Sequence, residues 1–366
     1  MAVSRINEAG LNVNQYGNRN ILINGGMQCW QRATSATAVS NSSYGTVDRF
    51  RFWESTDGAY TAEQSTDVPS GQGFTYSTKL VVTTADTSIA AGQYAQFAQR
   101  IEAQNLQQLS YGTSEAKTIT VSFWVKSSKT GNYAFNLYKN TAGNTAYLYY
   151  KRYSINAANT WEKKTITVSP TAGSTSFLTA SAGAIDPANT VGMEVYFTLA
   201  MGSSYQGATD DSWSSNVNLY TVSSNVNWMD STSNNFYITG LQMEVGDTAT
   251  PFEHRSFGQE LGKCMRYYYK SNYGATFTTG DLYFGRDTRV LQISFPTNMR
   301  ANPSVTTCND TSVGSGGGSG HYVVHGVNNY TDGTNLHSTP NQFTMYTPNR
   351  STSQPTKTGF IADAEL

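Results

Sequence analysis

The sequence is short of charge, of cysteine and of long apolar runs. Among 366 residues, 24 Lys+Arg stand against 25 Asp+Glu, a net charge of -1. Charged residues make up 13% of the chain, about half the usual share of roughly 25%. No cationic footprint for duplex DNA, RNA or an anionic membrane is present. The three cysteines, Cys29, Cys264 and Cys308, are far apart and form no CxxC pair. That excludes a disulfide framework and a thiolate metal site, and fits assembly in a reducing cytosol. No stretch approaches the ~20 apolar residues of a membrane helix. The N-terminal MAVSRINEAGLNVNQYGNRN lacks the basic-then-apolar pattern of a secretory signal, so none is expected. With four histidines and no G-x-S-x-G, H-E-x-x-H or Walker loop, no catalytic residue, cofactor or metal is expected.

What is present is apolar and aromatic material in an uncharged polar background. Hydrophobic residues are 38% and aromatics 13%, with 24 Tyr and 16 Phe, enough for a core. Disorder of the charged, aromatic-poor kind is excluded. Most of the chain repeats with period two. In KTITVSFWVKSS, Ile119, Val121, Phe123 and Val125 alternate with Thr120, Ser122, Trp124 and Lys126. TWEKKTITVSP repeats the device with Ile166 and Val168, and MEVYFTLAMG, NFYITGLQMEVG and DLYFGRDTRVLQISFP read as further strands. Many short strands bounded by Gly, Asn, Asp and Ser predict an all-β chain, a sandwich or barrel.

Two segments carry helical spacing. Gln99 to Ser110 places Ile101, Leu106 and Leu109 for one or two helical turns. Ser256 to Ser271 is stronger, because Leu261, Cys264, Met265 and Tyr268 stand at i, i+3, i+4 and i+7. Ser256 can cap that helix, with Gln259 three residues on. The polar stretch 201–235 and the run GSGGGSG at 314–320 read as connections. His321 and His325 are the nearest thing to a metal pair, but on a strand they stand ~13 Å apart, too far for one ion. Asp210 and Asp211 beside Trp213 read as solvated loop carboxylates, not a glycosidase dyad. The C-terminal segment combines Tyr, His and Asn in a Gly-rich setting. Tyr322, His325, Asn329, Tyr330 and His337 are the candidate receptor- or glycan-binding residues, since sugars present hydroxyls and apolar ring faces.

NRNILINGGMQCWQR (Asn18 to Arg32), YGTVDRFRFW (Tyr44 to Trp53) and ITGLQMEVGDTATPFEHRSFGQELGKCMRYYYK (Ile238 to Lys270) together resemble a family of bacteriophage tail-fibre and related virion proteins. QRIEAQNLQQL, KTITVSFWVKSS and NTWEKKTITV are similar to carbohydrate-binding modules of the galactose-binding-like jelly-roll type. The resemblance covers residues 18 to 270. It implies a docking segment over 1–20, a jelly-roll β-sandwich over 21–255, a linking helix over 256–271 and a smaller C-terminal β-sandwich receptor-binding tip over 272–366. In a jelly roll NILINGGM and FYITGLQMEVG lie together, with Asn24-Gly25-Gly26 as a turn or bulge and Asp48-Arg49 as an ion pair at the sheet rim. A structural Ca²⁺ near those strands would call on Glu244 and the Asn24 carbonyl region, though a purely structural role for them is the simpler reading. The resemblance further implies a homotrimer that buries Leu261, Met265 and Tyr268, and an N-terminus docked on other virion tail or baseplate proteins. It implies attachment to host surface polysaccharide by a virion assembled in the host cytoplasm. A capsid decoration or fibre adaptor is the alternative, and a polysaccharide-degrading spike the third.

Overall fold

The computed structural model describes residues 18–37, 43–140, 145–271, 276–277, 288–308, 322–324, 327–330, 336–348, 356–357 and 359–366. Its contacts divide the chain into two compact units, Met1–Phe257 with Leu366, and Gly258–Glu365. The chain is an all-β protein, and its first unit is a jelly-roll sandwich.

The strands of the first unit are β1 (Ser35–Ala36), β2 (Phe50–Glu54), β3 (Ala59–Ser65), β4 (Ser77–Thr84), β5 (Tyr94–Glu102), β6 (Ile119–Ser127), β7 (Gly131–Lys139), β8 (Tyr147–Ile155), β9 (Glu162–Val168), β10 (Val191–Met201), β11 (Ser212–Ser214) and β12 (Asn235–Val245). One six-stranded sheet runs β1-β3-β4-β12-β6-β9 and the other β11-β8-β7-β10-β5-β2. Every strand pairing in them is antiparallel. The chain crosses between sheets after β1, β2, β4, β5, β6, β8, β9 and β11, the winding that makes a jelly roll.

Period-two alternation decides which side chains enter the core. Ile119, Val121, Phe123 and Val125 of β6 are fully buried, and so are Ile166 and Val168 of β9. Phe123 meets Phe197 of β10 edge-on at 4.9 Å between ring centroids, and Phe50 stacks on Phe97 at 4.8 Å. The Phe123–Phe197 contact joins the two sheets, and the Phe50–Phe97 stack lies within one of them.

The segment 20–27 lies against β12. Ile21 N–H donates to the Met243 carbonyl at 2.8 Å, and Leu241 N–H donates to the Gly25 carbonyl at 2.9 Å. The Asn20 side chain donates to Leu241 O at 2.9 Å and accepts from Met243 N at 3.0 Å. A Cβ at Gly25 would fall 2.0 Å from Leu241 O, so only glycine allows this approach. Next to it, Asn24 Oδ1 accepts from Gln28 N and Cys29 N at 2.8 and 2.9 Å.

Three local expectations need correction. Over 99–110 the strand persists to Glu102, held by β2 and β10, and only Ala103–Leu109 coil into a 3-10 helix. Helix α1 spans Phe257–Met265, not 256–271. Tyr268 belongs to a strand, because the run of β-favouring tyrosines pairs with the chain's last strand and leaves the helical stripe. The stripe proposed to bury itself between copies is therefore not one helical face. Asp48 pairs with Arg32 at 3.6 Å and with Gln31, while Arg49 donates to the Arg100 carbonyl at 2.7 Å.

The second unit contains β13 (Tyr268–Lys270), β14 (Thr276–Phe277), β15 (Thr288–Ser294), β16 (Ser304–Cys308), β17 (Tyr322–Val324), β18 (Val327–Tyr330), β19 (Leu336–Ser338), β20 (Gln342–Pro348), β21 (Thr356–Lys357) and β22 (Gly359–Asp363). They form three small sheets, β13-β22-β16, β14-β21-β17-β18 and β15-β20-β19.

One end of the sandwich core holds an unusual group. Glu54 points inward beside Phe50 and Phe52 and is 6% exposed. Its Oε1 accepts from the amide and hydroxyl of Thr56, whereas Oε2, Tyr60 Oη and Trp228 Nε1 have no partner among the described residues. Burial, helped by nearby Asp86, pushes the Glu54 carboxyl up to about 7. Between the ordinary carboxyl range and pH 7 the folded state holds a proton that the unfolded chain has released. Stability from this group is full below pH ~4.5 and is lost as pH rises through ~7, on the order of 3 kcal/mol in all. Denaturant titrations of wild type and Glu54→Gln at pH 5 and pH 8 will show the wild type losing more stability over that interval than the variant.

Candidate functional site

The outer face of the second sheet is built by the residues that alternate with the core. In β10, Val195, Phe197 and Leu199 face inward, so Glu194, Tyr196 and Thr198 face outward. Register places Gln96 and Ala134 beside Thr198, Ala98 and Asn136 beside Tyr196, and Arg100 and Tyr138 beside Glu194. These neighbours form a polar relay. Gln96 Nε2 donates to Thr198 Oγ1 at 2.8 Å, the Thr198 hydroxyl donates to Asn136 Oδ1 at 3.0 Å, and Asn136 Nδ2 donates to the Tyr220 carbonyl at 2.9 Å. Tyr220 lies on a strap, residues 202–227, that leaves β10 and crosses this face. The sequence marks that stretch only as a polar connection, with no periodicity to indicate that it packs on the sheet.

Five aromatic rings run across the face as successive edge-to-face pairs. Trp53 meets Tyr94 at 6.2 Å, Tyr94 meets Tyr205 at 5.9 Å, Tyr205 meets Tyr220 at 6.2 Å and Tyr220 meets Tyr196 at 5.7 Å. Trp53, Tyr94, Tyr205 and Tyr220 are half-buried, so their rings are held by the fold yet partly open to solvent. The charged groups here are internally matched. Arg100 Nε pairs with Glu194 Oε2 at 3.0 Å, the same oxygen accepts from Tyr196 Oη at 2.6 Å, and the Arg51 guanidinium lies 4.1 Å over the Trp53 ring. Burial together with Glu194 raises the Tyr196 and Tyr220 phenols, which stay neutral hydrogen-bonding groups. Burial lowers Arg51, while Glu194 outweighs burial at Arg100 and raises it. The result is a polar aromatic surface with pre-oriented amides, hydroxyls and one ion pair. Such a surface can stack apolar ring faces and exchange hydrogen bonds with hydroxyl-rich ligands.

The other sequence candidates fall elsewhere. Tyr322 and Tyr330 are register partners in β17 and β18, and Asn329 is also in β18. His337 is in β19, in a different sheet, opposite Thr344 of β20. His325 and His321 lie outside the described residues, as does 314–320. Asp210 accepts from Arg152 N at 2.8 Å, Asp211 accepts from Tyr149 Oη at 2.5 Å, and Lys151 pairs with both, so they brace β8. Glu244 is buried, and its oxygens accept from Thr250 N, Thr250 Oγ1 and Gln242 Nε2 at 2.9, 2.6 and 2.9 Å. Those hydrogen bonds occupy the carboxylate in the way a structural role requires. Among the described residues no group of three or more His, Cys, Asp or Glu could hold a metal ion.

No family model and no curated protein matches the chain. Among solved structures, the enzymatically active domain of tailspike protein 4 of bacteriophage CBA120 is similar at 14% identity and a TM-score of 0.33, over 62% of this chain and 22% of that one. A putative sugar-binding protein of Bacteroides thetaiotaomicron is similar at 12% identity and a TM-score of 0.33, over 62% of this chain and 100% of that one. The family 11 carbohydrate-binding module of a cellulosomal cellulase of Clostridium thermocellum follows at 10% identity and a TM-score of 0.28, over 60% and 98%. The alignment thus spans about a fifth of the tailspike chain. At these identities and scores, the likeness assigns none of those proteins' properties to this one.

Asn136 is the joint between sheet and strap. It is fully buried, and Asn136→Ala would leave the Tyr220 carbonyl and the Thr198 hydroxyl short of a partner. A loss of about 1–3 kcal/mol is expected. Amide exchange across 203–227 will rise in that variant by more than exchange in β6 or β12.

Proposed function

We propose that this chain is a bacteriophage virion component, a tail-fibre or adhesin subunit that attaches the particle to glycan on the host cell, and that it binds without catalysis. The carrying observation is the half-buried row Trp53–Tyr94–Tyr205–Tyr220 above the Gln96–Thr198–Asn136 relay. A sugar polymer needs aromatic platforms for its C–H faces and fixed neutral donors and acceptors for its hydroxyls. Fixing those groups beforehand lowers the ordering cost of binding. The low-charge composition and the three sequence blocks between residues 18 and 270 support the same reading. The proposal extends to a homotrimer whose N-terminal segment docks on other tail or baseplate proteins. The C-terminal residues Tyr322, His325, Asn329, Tyr330 and His337 form a second contact set in the same reading.

Fluorescently labelled full-length protein should bind selected strains in a panel of candidate hosts, and soluble polysaccharide from those strains should compete. Tyr94→Ala with Tyr205→Ala should weaken binding on the order of 30-fold, about 2 kcal/mol, while leaving the fold intact by circular dichroism. Full binding by that variant, with loss in Tyr322→Ala/Tyr330→Ala, would move the site to the second unit. A well-folded protein that binds no strain would overturn the adhesin reading in favour of a decoration or adaptor. Release of reducing sugar from the polysaccharide would overturn the non-enzymatic part.

A further inference from the structure

A cavity of about 260 Å³ lies between the end of β10, the turn after β4 and the strap, on the Thr198 side of the aromatic row. Fifteen residues line it, and none carries a charge. Eight of the fifteen present a hydroxyl or amide side chain, among them Thr198, Gln206, Thr221, Asn225 and Asn227. The apolar wall comes from Ile89, Met201 and Val226, and no aromatic ring takes part.

Hydrogen bonds tie the strap down at both ends of the cavity. At one, Gly202 N–H donates to Gln93 O at 2.8 Å and Ser204 N–H to Ala91 O at 2.9 Å. The approach is so close that a Cβ on Gly202 would fall 2.0 Å from Ala90 O. At the other, Asn227 Nδ2 donates to Asp86 O at 2.8 Å, and Val226 N–H donates to Asn132 O at 2.9 Å.

We infer that this cavity binds one neutral sugar unit at a chain end, beside the aromatic row that takes the rest of the glycan. The inference rests on the glycan-binding reading and adds the ligand's charge and its terminal position. Its volume is below the roughly 300–1,000 Å³ of sites for drug-sized ligands, which suits a single small ring. The strap, tied down at both ends, hinders a polymer from threading through. An uncharged lining offers nothing to offset desolvation of a carboxylate, phosphate or sulfate, so acidic sugars are rejected. The missing ring excludes stacking of a planar base. Amides and hydroxyls suit the mixed donors and acceptors of a sugar, and the Ile89–Val226 wall suits a C–H face or an acetamido methyl.

The test is saturation-transfer NMR on the full chain. The probes are galactose, glucose, mannose, fucose, N-acetylglucosamine and N-acetylgalactosamine, with glucuronic acid as the charged control. At least one neutral sugar should receive saturation and glucuronic acid should not. Preference among the neutral set distinguishes acetamido from plain hydroxyl recognition. Ser223→Trp, an exposed lining position, should fill the mouth and lower the signal at least 10-fold, and Gln206→Ala should lower it several-fold if the tryptophan variant does not fold. Lys163→Ala, at an exposed position on the other sheet, should leave the monosaccharide signal in place. Transfer to none of the neutral sugars, or transfer that survives Ser223→Trp, would overturn the cavity assignment. If cell attachment still depends on Tyr94 and Tyr205 in that case, the aromatic-row reading stands without the cavity. If attachment is absent too, both fall.

Discussion

The alternation of β10 is the constraint on which the rest of the sandwich depends. This strand is hydrogen-bonded on one side to β5 and on the other to β7, at the centre of its sheet. Its inward residues, including Phe197, complete the aromatic core with Phe97, Phe123 and Phe135. Its outward residues Glu194, Tyr196 and Thr198 make most of the polar connections of the candidate site. A one-residue slip of register would put Phe197 on the polar face and Glu194 in the core, so core and site are set by one choice.

A chain with so few charges has to cover its sheets by other means. The strap over the second sheet is held by backbone and amide bonds, Asn136 to Tyr220 and Val226 to Asn132, and by the tyrosine row. Neutral hydrogen bonds lose less on desolvation than ion pairs, so a polar surface can be half-buried at modest cost. Where the balance is not met, at Glu54, Tyr60 and Trp228, the side chains are large, inward and close to the sandwich end. The Glu54 carboxyl responds by holding its proton to higher pH. The same economy of charge leaves the cavity beside the aromatic row lined by neutral groups alone.

Strand content and its burial were legible along the chain because each strand writes its own period. Ile119, Val121, Phe123 and Val125 are core by alternation alone, and the structure buries all four. The closeness of NILINGGM to FYITGLQMEVG followed from the jelly-roll resemblance, and Gly25 shows the steric reason. Helical spacing was less dependable. Tyr268 fits the stripe of Leu261 and Cys264, yet pairing with β22 outweighs a stripe that costs nothing to end.

By itself the sequence determined an all-β chain, poor in charge, whose alternating strands pack on one face, and it pointed to tyrosine and amide side chains as binding material. Tertiary structure alone decided which of them meet. Trp53, Tyr94, Tyr196, Tyr205 and Tyr220 are spread over 168 positions, and no local pattern links them. Strand order and a strap without periodicity bring them into one row, because contacts across a sheet depend on register between distant segments.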